Sequence, residues 1–335
     1  MKQFTLPSPD MVTTPSSDGP VANKRPTNSR NAVGLLRIAL WFGLLGGMAQ
    51  VAIAMLLRYG LGKYMHVSEH LVWSAPVAAT ITLAIPGALA WAVDQRWHSD
   101  RFRHIAIALL ATLAVLGVAF YPRGIQLYSR IIVSLGIGVA IARLIDAHPT
   151  GFASLLKRTL PIAVAIVMVT AGVTTGWHLL EERSSIAQLP APPDNSPNVL
   201  LLILDTVRSL DMSLYGYERA TSPNIDRFAQ GGVVFDRATS SAPWTLPSHA
   251  SMFTGHPARD LSSDWRVPLN AEYPTLAERL RERGYLTAAF VGNLAYASRE
   301  SGLDRGFAHY ESFLVTVGNT MAADMVASNI IRSRF

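Results

Sequence analysis

The sequence predicts an α-helical membrane domain followed by an α/β domain, a mostly parallel sheet with helices on both faces. Three observations carry this expectation. Half of the 335 residues are apolar and only 16% are charged, against about 25% charged in ordinary soluble domains. The apolar residues of the first half gather in five long stretches. The second half alternates short apolar runs with segments bounded by Pro and Gly, the pattern of strands alternating with helices.

Taken in order, residues 1–31 are rich in Pro, Ser, Thr and Asn and read as a disordered cytoplasmic tail. Residues 32–183 hold the apolar stretches, at Leu35–Leu57, Leu71–Val93, Ile105–Tyr121, Ile125–Ile145 and Leu160–Leu180. Each comes near the roughly 20 residues a helix needs to cross a bilayer. Only helices satisfy their own backbone in lipid without forming a barrel, so a five-helix transmembrane domain is expected. Gly172 and Gly176 have the spacing of a close helix contact, with no partner assigned.

Orientation follows from Lys and Arg. The tail with the first helix entry, the second loop and the fourth loop together hold eleven; the first and third loops hold four, Arg58, Lys63, Arg123 and Arg130. The richer side is expected in the cytoplasm. Five crossings then place the chain in an inner membrane, with the C-terminal domain periplasmic or extracellular and membrane lipids as partners. The net charge of +6 does not point to nucleic acid. Residues 1–180 carry 15 Lys+Arg against 6 Asp+Glu, while residues 181–335 carry 14 against 17. The absence of cysteine excludes a disulfide scaffold, a thiolate zinc site and a cysteine nucleophile.

Residues 184–197 form a Pro-rich linker, a stiff spacer ending at Pro197. Residues 198–335 read as the α/β domain. The continuous apolar run Asn198–Leu204 predicts a strand buried on both faces. Ser222-Pro223 predicts a helix start, with a stop at Gly231-Gly232. Val233–Phe235 is a second strand candidate, and a helix from Pro247 through Phe253 closes at Gly255. Thr275 and Glu278 form a capping box for a helix that ends at Gly284, and Leu286–Val291 is a third strand.

Two positions carry candidate chemistry. Asp205 ends the first predicted strand, at the sheet edge where α/β proteins bind ligands. It reads either as a turn cap or as a ligand for a hard cation. Thr245 stands before a helix start, where free N–H groups favour a tetrahedral anion. It reads either as a cap or as a hydroxyl nucleophile.

The surrounding residues extend the reading. Thr245-Leu-Pro-Ser-His249 with Thr254-Gly255 resembles the sulfatase signature. The run ending at Asp205, then Leu214-Tyr-Gly216, Thr221-Ser-Pro-Asn224 and Pro274–Leu280 with Gly284-Tyr285, are similar to successive blocks of the same family, over about residues 197–313. The resemblance implies the alkaline-phosphatase-like fold and a divalent metal ion (Ca, Mg, Mn or Zn). It implies Asp205 and Thr245 as metal ligands, Thr245 as the nucleophile on sulfur or phosphorus, and His249 in the place of the family's Arg beside it.

The sequence also departs from the family. Thr cannot become the formylglycine that sulfatases make from Cys or Ser; Thr-x-Pro-Ser-His instead resembles the nucleotide pyrophosphatase and phosphodiesterase relatives. Asp205-Thr206 replaces an Asp pair. Gly292-Asn293 stands where the family has Gly-Lys, and Asn293 reads either as a turn residue or as a holder of an oxyanion. Trp244 reads either as a wall of the pocket or as core, His256 either as lining the pocket or as a solvated loop residue, and His309 as packing. Residues 314–335 hold Asp324 and no His, so the domain reads as C-terminally truncated and its metal as weakly held or absent. The expected function is a membrane-anchored hydrolase of sulfate or phosphate esters. The alternatives are a phosphoethanolamine- or glycerophosphate-type transferase acting on an envelope lipid or polymer, and a catalytically inactive truncated membrane protein.

Overall fold

A computed structural model describes residues 34–61, 70–121, 124–265, 267–293 and 296–312. The predicted tail at 1–31, Lys63, Arg123 and Asp324 lie outside these residues. Five helices fill the first half: α1 (Leu35–Met55), α2 (Leu71–Trp97), α3 (Asp100–Ala119), α4 (Leu127–Ala147) and α5 (Pro149–Ala187). Ser99 caps α3 by accepting the Phe102 N–H, and Pro149 opens α5 at a position where a missing N–H costs nothing. Pro76 and Pro86 lie inside α2 and Pro161 inside α5.

The bundle core is built from Leu35, Ile38, Phe42, Leu83, Ile107 and Leu110. Helices α1 and α2 approach backbone to backbone at Gly43 and Gly47, where any Cβ would meet the main chain at Thr80 and Pro76. Small residues therefore do bring the apolar helices together here. They are not Gly172 and Gly176, which face open space. Large apolar side chains also cover the outer faces of α4 and α5, among them Ile132, Val133, Met168 and Val169. A helix apolar all round suits a lipid environment.

Among the described residues, four helices are long and apolar enough to cross a membrane: Leu35–Gly60, Leu71–Trp97, Asp100–Ala119 and Pro149–Ala187. The apolar pattern predicts five. The helix outside this set is α4, which carries Arg130 near its start and Arg143 and Asp146 near its end. Helix α5 runs on to Ala187, so the first residues of the predicted linker are helical.

Among the described residues, the second half holds three α-helices, α6 (Pro223–Ala229), α7 (Thr245–Thr254) and α8 (Leu276–Glu282), and two short parallel strands, β1 (Ala288–Phe290) and β2 (His309–Glu311). Local signals explain most of them. Pro223 occupies the first turn of α6. Gly255, at φ +74, ends α7 in the left-handed region. The Thr275–Glu278 capping box starts α8 with both of its reciprocal bonds, Thr275 N–H to Glu278 Oε2 at 2.7 Å and Glu278 N–H to Thr275 Oγ1 at 3.1 Å. Helix α7 begins at Thr245 rather than at Pro247.

Two predicted strands are absent. Residues 198–204 run as extended chain without a hydrogen-bonded strand partner, and Leu200 is 88% exposed. Val233–Phe235 is likewise irregular and exposed. A sheet needs partners distant in sequence, and the described sheet contains only β1 and β2. The apolar run identified a segment suited to burial without supplying what buries it.

The apolar helices contact the second half at the end of α5. His309 on β2 meets Glu182 at 3.2 Å, and Arg281 on α8 donates to the Ser185 carbonyl at 3.4 Å. Gly284, at φ +83, lets the linker cross at Pro190 and Pro192.

Candidate active site

Helix α7 is positioned by its buried side. Leu246 and Ala250, one turn apart, pack with Leu269, Ala297 and Leu303. That packing leaves Thr245, the first helical residue, half-buried at the open end of α7. Asp205 reaches the same place from a tight turn in which Thr206 adopts φ +62. A β-branched residue in the left-handed region is strained, and such strain persists where surrounding structure holds it.

The structure brings Asp205 and Thr245 together. The Thr245 hydroxyl donates to Asp205 Oδ2 at 3.1 Å. Asn293 completes the group from just beyond the end of β1. Its Nδ2 donates to Asp205 Oδ2 at 2.9 Å and lies 3.4 Å from Thr245 Oγ1. Of the two sequence readings of Asn293, turn residue or holder of an oxyanion, its contacts favour a place in the site. Its position in place of the family's Lys, after the third predicted strand, is the signal that marks it.

His249 is on the same helix one turn on, and its Nδ1 donates to the Thr245 carbonyl at 2.8 Å. It therefore contacts the backbone of Thr245 and not its hydroxyl, while its ring packs edge-on against Phe253. The Asp205 carboxyl lies below its ordinary range. The main cause is the hydrogen bond from Asn293; the Thr245 hydroxyl, the field of His249 and the Thr206 N–H act the same way, against a partial desolvation.

The other residues separate from this centre. His256 stacks on Tyr273 with ring centroids 4.0 Å apart, and His309 pairs with Glu182. Trp244 is not core: it is 47% exposed and stacked on Trp265.

As a metal site the group is sparse. Its carboxylate and hydroxyl are a small part of the roughly six oxygens a hard divalent cation takes. Among the described residues no group of three or more His, Asp or Glu is placed to hold a metal ion. The donors present do not fit a tight divalent site. They do fit a hydroxyl held for proton transfer, with an adjacent carboxylate to accept the proton and an amide to stabilise the oxygen.

Residues 197–321 match the sulfatase family model. The N-acetylgalactosamine-6-sulfatase of Canis lupus familiaris is 32% identical over 134 residues, covering 36% of this chain and 26% of that protein. Human arylsulfatase A is 36% identical over 98 residues, 27% of this chain and 19% of the relative. Human steryl-sulfatase is 32% identical over 104 residues, 28% and 18%. The matched part thus spans about a quarter or less of each relative's length. No solved structure matches the chain. Sulfatases in general use a divalent metal, a property the described donor set does not reproduce. Residues 197–321, behind a region of apolar helices, are the part of this chain that is similar to the sulfatase family.

Proposed function

We propose that this chain is a membrane-anchored hydrolase of sulfate or phosphate esters, with Thr245 as the nucleophile. The observation that carries the reading is the Thr245 hydroxyl donating to Asp205 while the Asn293 amide faces both oxygens. The three relatives described are named for sulfated sugar, aryl and steryl compounds, which makes sulfate esters the first substrates to test.

In the proposed reaction Asp205 takes the Thr245 proton as Oγ1 attacks sulfur or phosphorus. The bond from that atom to the ester oxygen breaks, and the alcohol leaves with a proton from water. Asp205 returns its proton to the hydroxide so formed; a second water then attacks the adduct and gives a proton to Asp205, the bond to Oγ1 breaks, and that proton passes to Oγ1 to restore the Thr245 hydroxyl. The open end of α7 favours the anionic group during both steps. Asn293 donates to the oxygen that carries the developing charge, as preorganised donors do. His249 holds the Thr245 backbone in place through its carbonyl.

The apolar helices anchor the domain, and we place it outside the cytoplasm on the Lys and Arg distribution, with α4 as a fifth crossing. Release of sulfate from an aryl sulfate by the full chain in detergent tests the function. Thr245→Ala should abolish turnover, by several orders of magnitude as is usual for a required nucleophile, with the helical spectrum unchanged. Turnover within a few fold of the parent would reject Thr245 as nucleophile.

A further inference from the structure

We infer that Trp244 and Trp265 form a platform that binds the ring of the substrate's alcohol part, an aryl or sugar ring next to the ester oxygen. The inference rests on the site proposed around Thr245. Two links tie the platform to that site. Trp244 directly precedes Thr245 in the chain. Its ring also meets Tyr296, with centroids 6.4 Å apart, and the Tyr296 N–H donates to Asn293 Oδ1 at 3.2 Å. The same Asn293 amide contacts Asp205 through Nδ2. The aromatic group is therefore attached to the polar site from both sides, through the backbone of α7 and through Asn293.

The platform has the form of a ring-binding surface. Trp244 and Trp265 are stacked, 5.4 Å apart and 24° from parallel, and Trp244 keeps nearly half its surface exposed. Partial burial against one partner leaves apolar ring surface on the residue next to Thr245. Such surface gains free energy when a second ring covers it. The polar group at Asp205, Thr245 and Asn293 then takes the anionic end of the ester, and the indoles take the ring. An ester of a short-chain alcohol has no part that reaches this surface.

Calorimetry on the full chain in detergent tests this, using the Thr245→Ala background so that binding is read without turnover. The probes are phenyl sulfate, glucose 6-sulfate and ethyl sulfate. The two ring esters, or one of them, should bind about three- to tenfold more tightly than ethyl sulfate, the gain typical of one aromatic contact. Trp244→Ala and Trp265→Ala should each erase the preference, and Trp244→Phe should keep most of it. Trp265→Ala is informative because it leaves the sequence around Thr245 intact. The stronger of the two ring probes identifies the ring class. Equal binding of all three probes, no binding of any, or a preference that survives both alanine variants would overturn the inference. Ring-selective binding by a chain whose parent form turns over no ester would support the platform and defeat only the hydrolase reading.

Discussion

Replacing Asn293 with Ala probes the least expected member of the site. The substitution removes an amide donor 2.9 Å from Asp205 Oδ2 and 3.4 Å from Thr245 Oγ1. Hydrogen bonds to charged groups contribute about 1.5–3 kcal/mol. The site is open to water, so the lower end, about 1.5 kcal/mol, is the appropriate figure. That corresponds to roughly a tenfold fall in kcat/KM. The pH profile should move as well. Asn293 is the main cause of the low Asp205 pKa, so its removal raises that pKa toward the ordinary carboxylate value. Asp205 then takes up a proton at higher pH, and the acid limb of activity shifts upward. The stability supplied by ionised Asp205 follows the same sign: present above the unfolded pKa, and lost as pH falls through the lower folded value. The assay is sulfate release against pH, with circular dichroism to verify the fold. An unchanged rate together with an unchanged acid limb would refute the role assigned to Asn293.

Three further predictions concern packing, orientation and metal. Gly47→Ala should lower the thermal stability of the bundle in detergent by about 1–3 kcal/mol, because its Cβ would meet the α2 backbone at Pro76, whereas Gly172→Ala, in open space, should be neutral or mildly stabilising. A periplasmic reporter fused after Leu180 should be active and a cytoplasmic one silent; the reverse would mean that α4 does not cross. Calorimetry with Ca²⁺, Mg²⁺, Mn²⁺ and Zn²⁺ should show no micromolar binding, since Asp205 and Thr245 supply too few ligands, and tight binding lost in Asp205→Ala would contradict this.

The features legible in the sequence were those set by nearest neighbours along the chain. Apolar stretches long enough for a bilayer became helices, and the Thr275–Glu278 capping box and Gly255 marked helix ends. Asp205 and Thr245 were legible as a pair through their motif, and they lie in hydrogen-bond contact. Features that depend on distant partners were harder to read. The run 198–204 has a strand's composition, but a strand exists only when another pairs with it, and here the segment is exposed. Strand β2 was missed for the complementary reason: His309–Glu311 is short, and its order comes from pairing with β1. Asn293 resembles any turn residue until β1 places it beside the Asp205 turn, 88 residues away in sequence. Trp244 has the apolar bulk of a core residue but is nearly half exposed, with Trp265 stacked on it.

The central claim, that Thr245 forms a covalent bond to the transferred group, is tested most directly by peptide mass spectrometry. The full chain is incubated with an aryl sulfate and, separately, an aryl phosphate, then quenched in acid. The account predicts a sulfo or phospho adduct on Thr245 with at least one of them, absent in Asp205→Ala because that carboxylate takes the hydroxyl proton. Ester turnover with no adduct on Thr245, or an adduct located on another residue, would contradict it.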